Sequence, residues 1–457
     1  MSASSTAPAP PSPAPGFRIR RGLDLPIDGA PVQDPSGAVE RGAAVRTVAL
    51  LGEDAPGVRP ELRVALGDRV RSGQPLWVDR RRPELCFVAP GAGVVKSIER
   101  GERRRLAAVV IALEGDEEEA FEPVAPGALA SLPRERLEAL LLRSGLWTTL
   151  RTRPFGRIPD PGTAPRSLFV TALATDPLAP RVGPLLAAEA EAFARGLTAL
   201  TRLTDGPVHV CARPGEGPAL AGVPERVVPA FFAGPHPAGL AGTHIHLLDP
   251  AGPGREVWHV GWADVVAIGR LLATGRLPTE RVVAVGGPSV LRPRLVRTRL
   301  GASTEELLRG ELRGGPCRVI SGSVLSGRHA VGSRGFLGRL HTQVCVLPEG
   351  AAPPPQGPFA RLGGLVGAGG RAWTTALGGT RGAFYPLERL ESVFPLDVPL
   401  LPLLRALAVG DVDAVHALGG LELAEEDLAL VSYRCPGKID WGARLRAALL
   451  ELERRAA

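Results

Sequence analysis

From Phe17 to about residue 126, apolar residues fall in short alternating runs broken every few positions by Gly or Pro, and no 3.6-residue period holds. That punctuation predicts short strands and tight turns, hence a small β-barrel or sandwich. In Gly67 to Leu76 (GDRVRSGQPL) and Ala89 to Val95 (APGAGVV), turn residues alternate with Val, Leu and Trp, which predicts tight hairpins and a further turn at Pro90 and Gly91. From about Ser131 to Leu277 the pattern changes. An apolar strand, Ser167 to Ala174, precedes a stripe of Leu186, Phe193, Leu197 and Leu200 on a helix, and a second strand follows at Val208 to Ala212. This βαβ alternation predicts a parallel sheet with both faces covered. A β-rich module follows, with strand Arg281 to Val285, a Gly286-Gly287 turn, strand Val296 to Arg299 and a helix near Thr304 to Glu311. Residues 347–370 read as a Pro- and Gly-rich loop, and the remainder as mostly helical. The last element, Asp440 to Arg455, has Leu445, Ala448, Leu449 and Leu452 on one face.

The expected fold class is α/β multidomain. It divides into a disordered Pro/Ala tail (1–16), a β domain (17–130), a Rossmann-like α/β domain (131–278), a β-rich module (279–346) and a loop with a helical C-terminal domain (347–457). A length of 457 residues suits several domains, and 22% charged with 44% hydrophobic residues suits a globular chain. No run approaches the ~18 apolar residues of a membrane span, so membrane contact is expected only through partners.

The net charge of +7 raises the question of nucleic acid. Of 54 basic residues only Lys96 and Lys438 are lysine, which marks a bias toward arginine across the chain rather than selection for phosphate contacts. The clusters Arg80 to Arg82 and Arg103 to Arg105 have no interleaved aromatics on which bases could stack, so no nucleic-acid partner is expected. Five scattered cysteines without a C-x-x-C pair indicate neither disulfides nor a zinc ribbon, and a reducing cytosol fits them. Cys435-Pro436-Gly437 lacks the neighbouring thiolates that an iron–sulfur cluster requires.

Several motifs fall short of the chemistry they suggest. The hairpins of the first domain resemble the biotinyl- and lipoyl-carrier fold, but the tip is Asp79-Arg80-Arg81-Arg82, and a guanidinium cannot be acylated as the carrier lysine is. Between Val170 and Val182 there is no glycine, so the fingerprint that brings backbone amides to a pyrophosphate is missing. Gly322 to His329 (GSVLSGRH) has Arg328 and His329 where a phosphate-binding loop has lysine and a hydroxyl. His244 and His246 are expected on one face of a strand, a pair too small for a zinc site. The segment Gly145 to Pro165 combines Trp147 and Phe155 with Arg151, Arg153 and Arg157. That composition suits a contact surface for a partner or ligand, or plain packing with Trp147 plugging the core.

Read in order, RGLDLPI (Arg21 to Ile27), the GDRVRSGQPL hairpin, SGLWTTLRTRPF, VTALATDPLAP, THIHLLDP, VWHVGWADVVAIGRL, CRVISGSVLSG and AEEDLALVSYRCPGK resemble the A subunits of bacterial Na+-translocating NADH:quinone oxidoreductases (Na+-NQR). The resemblance covers nearly the whole chain after the tail. It implies a barrel-sandwich domain, a Rossmann-like domain, a β-grasp-like module and a helical end, similar to the flavin subunit of complex I with its glycine-rich loop lost. It implies a peripheral subunit on the cytoplasmic side of the inner membrane that supports the ubisemiquinone-to-ubiquinol half of NADH-driven, Na+-exporting quinone reduction. FAD, FMN, riboflavin and iron–sulfur then reside on other subunits, and no catalytic residue or metal ligand is expected here. The expected partners are the other five subunits, chiefly the quinone-reducing B subunit in the membrane. A quinone or partner contact, with ubiquinone at a shared site, is placed at Trp147, Arg151, Arg153 and Phe155. Residues 350–379 look shorter than the family's equivalent. The alternative is a flavin- and NADH-binding electron-transfer subunit of the complex I or Rnf type.

Overall fold

The computed structural model describes residues 14–350, 373–376 and 382–456. Most of the expected tail, of the 350–379 segment expected to be short, and of the expected 347–370 loop lie outside the described residues.

The first unit is a barrel-sandwich. Strands Thr47–Leu51, Leu106–Leu113, Gly93–Arg100 and Arg69–Val70 form one sheet, and Pro60–Leu62, Pro75–Asp79 and Arg82–Val88 the other. Alternation puts Val48, Leu76, Leu85, Val109 and Ile111 inside, with Trp77 stacked on Phe87 at 5.4 Å between centroids. The turn at Arg80 and Arg81 is pinned rather than projecting: Asp79, fully buried, accepts from the Arg59 and Arg81 N–H groups and from Arg82 Nε.

The second unit holds a six-stranded sheet in the order Gly16–Arg18, Val227–Ala233, Val208–Ala212, Leu168–Ala172, Val257–Gly261, Arg151–Arg153. All pairs are parallel except the last. Period-two alternation sends Leu168, Val170, Val208 and Val210 to helices Ala190–Leu200 and Trp262–Thr274 on one face. Phe169, Cys211 and Phe232 turn to helix Ala241–Leu248 on the other.

Two expectations change here. The run THIHLL is helical, not a strand; a short apolar run fits either element, and Ala241–Leu248 is long enough for two turns of helix over the sheet. His244 and His246 therefore diverge. His244 Nε2 lies 2.9 Å from the Ala238 carbonyl, while His246 Nδ1 meets Glu422 at 2.7 Å. The segment assigned to the start of the β domain instead runs first through other units. Gly16–Arg18 adds an edge strand to the α/β sheet and Glu40–Arg41 one to the next sheet, because both sheets offer unpaired edges there.

The third unit is a mixed sheet ordered Arg328–His329, Cys317–Ser321, Gln343–Pro348, Glu280–Gly286, Arg294–Arg299, Glu40–Arg41. Its helix is a single turn, Thr304–Leu307, shorter than expected, capped by the Ser303 hydroxyl. Helices Leu400–Val409, Val412–Ala417, Ala429–Arg434 and Trp441–Ala456 close the C-terminal unit around Leu403, Leu404, Leu430, Trp441 and Leu445. Among the described residues, no helix is long and apolar enough to cross a membrane.

Candidate functional site

Open parallel sheets bind ligands outside the carboxyl ends of their strands, where the strand order reverses. Here that point lies between Leu168–Ala172 and Val257–Gly261. The loop leaving the first strand is packed shut. Leu178, at φ +64°, buries its side chain among Leu25, Ile27, Ile320, Cys345 and Leu347. Gln343 Nε2 donates to the Pro177 carbonyl at 3.0 Å, and the Thr175 hydroxyl accepts from the Gly239 N–H at 2.9 Å.

The second strand runs straight into helix Trp262–Thr274, whose first turn carries Asp264. A helix N-terminus stabilises negative charge, and in a nucleotide-binding sheet that charge is the ligand's phosphate. Here it is Asp264, with its side chain 4% exposed. Arg281 Nη2 reaches Asp264 Oδ1 at 2.5 Å and Arg339 Nη1 reaches the same oxygen at 3.2 Å, while Arg281 Nη1 donates to the Arg339 carbonyl at 2.7 Å. The cavity left beside this cluster is about 60 Å³, far below the roughly 300 Å³ at which small-molecule sites begin. The residues at this crevice do not fit a flavin or dinucleotide.

The cluster continues into the barrel. Asp54 accepts from Arg328 Nη1 at 2.7 Å and from the Arg339 N–H at 2.9 Å, and its carbonyl from Arg151 Nη2 at 3.0 Å. Arg328, the residue in the lysine position of GSVLSGRH, is thus committed to Asp54 and to Glu53 at 3.0 Å, not to a phosphate.

Three of the four residues expected at a quinone or partner contact lie inside the protein. Trp147 is fully buried, donates Nε1–H to the Pro159 carbonyl at 2.9 Å and packs edge-on to Trp258. Arg151 donates Nη1 to the carbonyls of Thr148 and Leu150 at 2.7 and 2.9 Å; burial drags its pKa down to about 10, against the opposing charge of Asp54. Arg153, 1% exposed, pairs with Asp427 at 3.1 Å and Glu426 at 2.7 Å. Burial alone would lower its pKa, and the two carboxylates outweigh it, so the guanidinium is held charged. These three are packing and joining residues because each finds its partners within the chain. Phe155 alone keeps open surface, and Arg157 forks onto Glu453. Asp54, Asp264, Arg281 and Arg339 went unforeseen, since no local spacing ties together residues from three units. Among the described residues, no three His, Cys, Asp or Glu side chains converge as metal ligands.

Family models match three segments: the NqrA N-terminal barrel-sandwich hybrid domain over residues 17–114, the NqrA second alpha/beta domain over 132–277, and the NQRA C-terminal domain over 282–332. The A subunit of the Na(+)-translocating NADH-quinone reductase of Klebsiella pneumoniae is 49% identical over 96% of this chain and 99% of its own. The chain belongs to the family of Na+-translocating NADH-quinone reductase A subunits. The corresponding protein of Pseudomonas aeruginosa is 48% identical with the same coverage. Membership makes the chain one component of a multi-subunit translocase that couples NADH, quinone and sodium. A chain of the air-oxidized NAD+-reducing [NiFe]-hydrogenase aligns at TM-score 0.36 and 15% identity, over 74% of this chain and 72% of that one, a likeness too distant to argue from.

Proposed function

We propose that this chain is a peripheral, cytoplasm-facing subunit that carries no electron carrier of its own. It supports the ubisemiquinone-to-ubiquinol half of the reaction by shaping the cover over a quinone site held by a membrane partner, chiefly the quinone-reducing B subunit. The flavins and iron–sulfur centres belong to the other subunits on this reading. The supporting observation is the closed crevice: the place where a sheet of this kind receives a phosphate is filled by Asp264, already neutralised by Arg281 and Arg339. A seat cannot hold a flavin nucleotide and a salt-bridged carboxylate at once. Burial of Trp147, Arg151 and Arg153 leaves Phe155 as the expected contact residue with surface to offer a ring or a partner. The reading is tested by purifying the tagged chain from membranes of its own host. Recovery of the membrane-embedded subunits of the pump, in a complex that reduces quinone with NADH in a Na+-stimulated manner, is the expected result. A chain that reduces quinone alone would overturn it.

A further inference from the structure

A groove of about 880 Å³ runs between the α/β unit and the helical unit. Phe155, Leu421 and Leu452 form its apolar floor, with Arg166 and Arg255 on the α/β wall and Arg455 on the helical wall. The aromatic is presented rigidly. Phe155 sits at φ +74°, a conformation costly for a bulky side chain. The turn is over-determined: Thr152 Oγ1 donates to the Pro154 carbonyl at 2.9 Å, the Gly156 N–H to the Thr152 carbonyl at 3.0 Å, and Arg446 Nη1 to the Phe155 carbonyl at 2.6 Å. Strain held in place by so many bonds, around a half-buried ring facing a groove, is the arrangement of an anchor prepared in advance.

The charges point the same way. Arg166 Nε and Arg255 Nη2 share one carboxylate oxygen, Asp249 Oδ1, at 3.2 and 3.4 Å, and the other Asp249 oxygen is taken by the Ser167 hydroxyl at 2.7 Å. Side chains 56% and 45% exposed therefore keep donors free toward the groove. The carboxyl on the same wall, Glu256, is already engaged, accepting from Trp258 Nε1 at 2.7 Å. Among the described residues, the strand Gly16–Arg18 lies at the far edge of the sheet from Arg151–Arg153.

We propose that this groove docks an extended cytoplasmic segment of a membrane-embedded partner subunit, which lays an apolar side chain on Phe155 and a carboxylate between Arg166 and Arg255. Arg455 is held by Glu451 and Asp413 at 3.0 and 2.8 Å, so the free donors are those of Arg166 and Arg255; cations beside an apolar floor suit a polypeptide that presents both a carboxylate and an apolar side chain better than a single lipid phosphate. The proposal rests on the reading of the chain as a peripheral subunit of the pump.

The full-length tagged chain, with Phe155→Gly and Arg255→Glu variants, is compared for recovery of the membrane subunits from host membranes. Glycine relaxes φ +74° while removing the ring, and Arg255 is half-exposed, so both variants keep the wild-type melting profile closely enough for comparison. Each is expected to weaken capture roughly thirty-fold, the effect of truncating a hot-spot anchor, and Arg255→Lys to retain most of it. Equal recovery by wild type and both variants overturns the groove assignment. Failure of wild type itself to bring down the pump subunits instead removes the reading beneath it. Capture of the wild type, but not of Arg255→Glu, by phosphatidylglycerol vesicles without partner subunits assigns the groove to lipid and overturns the proposal.

Discussion

Arg153→Met cuts the joint between the α/β sheet and the helical unit. The Arg153 side chain is 1% exposed and that of Asp427 is 3% exposed, so water screens little of their attraction. Methionine fills the stem's volume but leaves Asp427 with no cation in contact, only the Ala424 N–H at 2.8 Å. Breaking a buried pair from one side costs about 3–5 kcal/mol, mainly through the stranded charge. Because the chain has several units, a single melting temperature would blur the effect. Hydrogen exchange of helix Trp441–Ala456 reads it locally. Its protection should fall roughly a hundred- to several-thousand-fold, the equivalent of that energy. Adding Asp427→Asn removes the more buried of the two stranded charges, Glu426 being the other, while keeping an acceptor for Ala424, and should restore about 1–3 kcal/mol. Protection within about fivefold of wild type in Arg153→Met, or a double variant as weak as the single, would refute the role given to this pair.

Other consequences are as direct. Gly269→Ala should destabilise the α/β unit by about 1–3 kcal/mol in urea unfolding, because the new Cβ would lie 1.8 Å from the Ala192 carbonyl; the helix-propensity gain of about 1 kcal/mol does not offset that clash. His244 is held near a pKa of about 4, chiefly by burial and against the Ala238 carbonyl bond, and among the described residues its buried Nδ1 has no partner to accept a proton's hydrogen bond. The folded state then binds fewer protons than the unfolded one, so this stability is full above about pH 6.5 and is lost as pH falls toward 4. The loss reaches about 3 kcal/mol, and a His244→Gln variant should show a shallower decline in melting temperature across that window.

What was legible in the sequence was periodicity. Leu168, Val170, Val208 and Val210 alternate as a sheet demands, and Phe193, Leu197 and Leu200 are buried on helix Ala190–Leu200, whereas Leu186, expected on the same stripe, is buried on a separate helix, Val182–Ala188, because the chain leaves helical geometry at Glu189. The turn at Gly91 stands where its turn residues put it, but Gly67 to Leu76 closes no hairpin, since Arg69–Val70 pairs with Gly93–Arg100 in one sheet and Pro75–Asp79 with Pro60–Leu62 and Arg82–Val88 in the other. The run at Ala241–Leu248 was misread because so short a stretch carries no period long enough to separate helix from strand. The Trp147 to Phe155 segment shows the deeper limit. An arginine in a loop reads as exposed unless its partner is known, and the partners of Arg151 and Arg153 lie 97 and 274 positions away, at Asp54 and Asp427. The missing glycine after Val170 was visible, whereas the carboxylate of Asp264 filling the crevice was not, since its clamps Arg281 and Arg339 come from another unit.

On the proposed reading, the crevice of the dinucleotide-type sheet has no seat for a redox group. The visible absorption spectrum of the purified full-length chain tests it most directly, read beside that of the assembled pump. A colourless chain within a coloured complex is the expected result. Flavin or iron–sulfur absorption in stoichiometric amount on the isolated chain would contradict it.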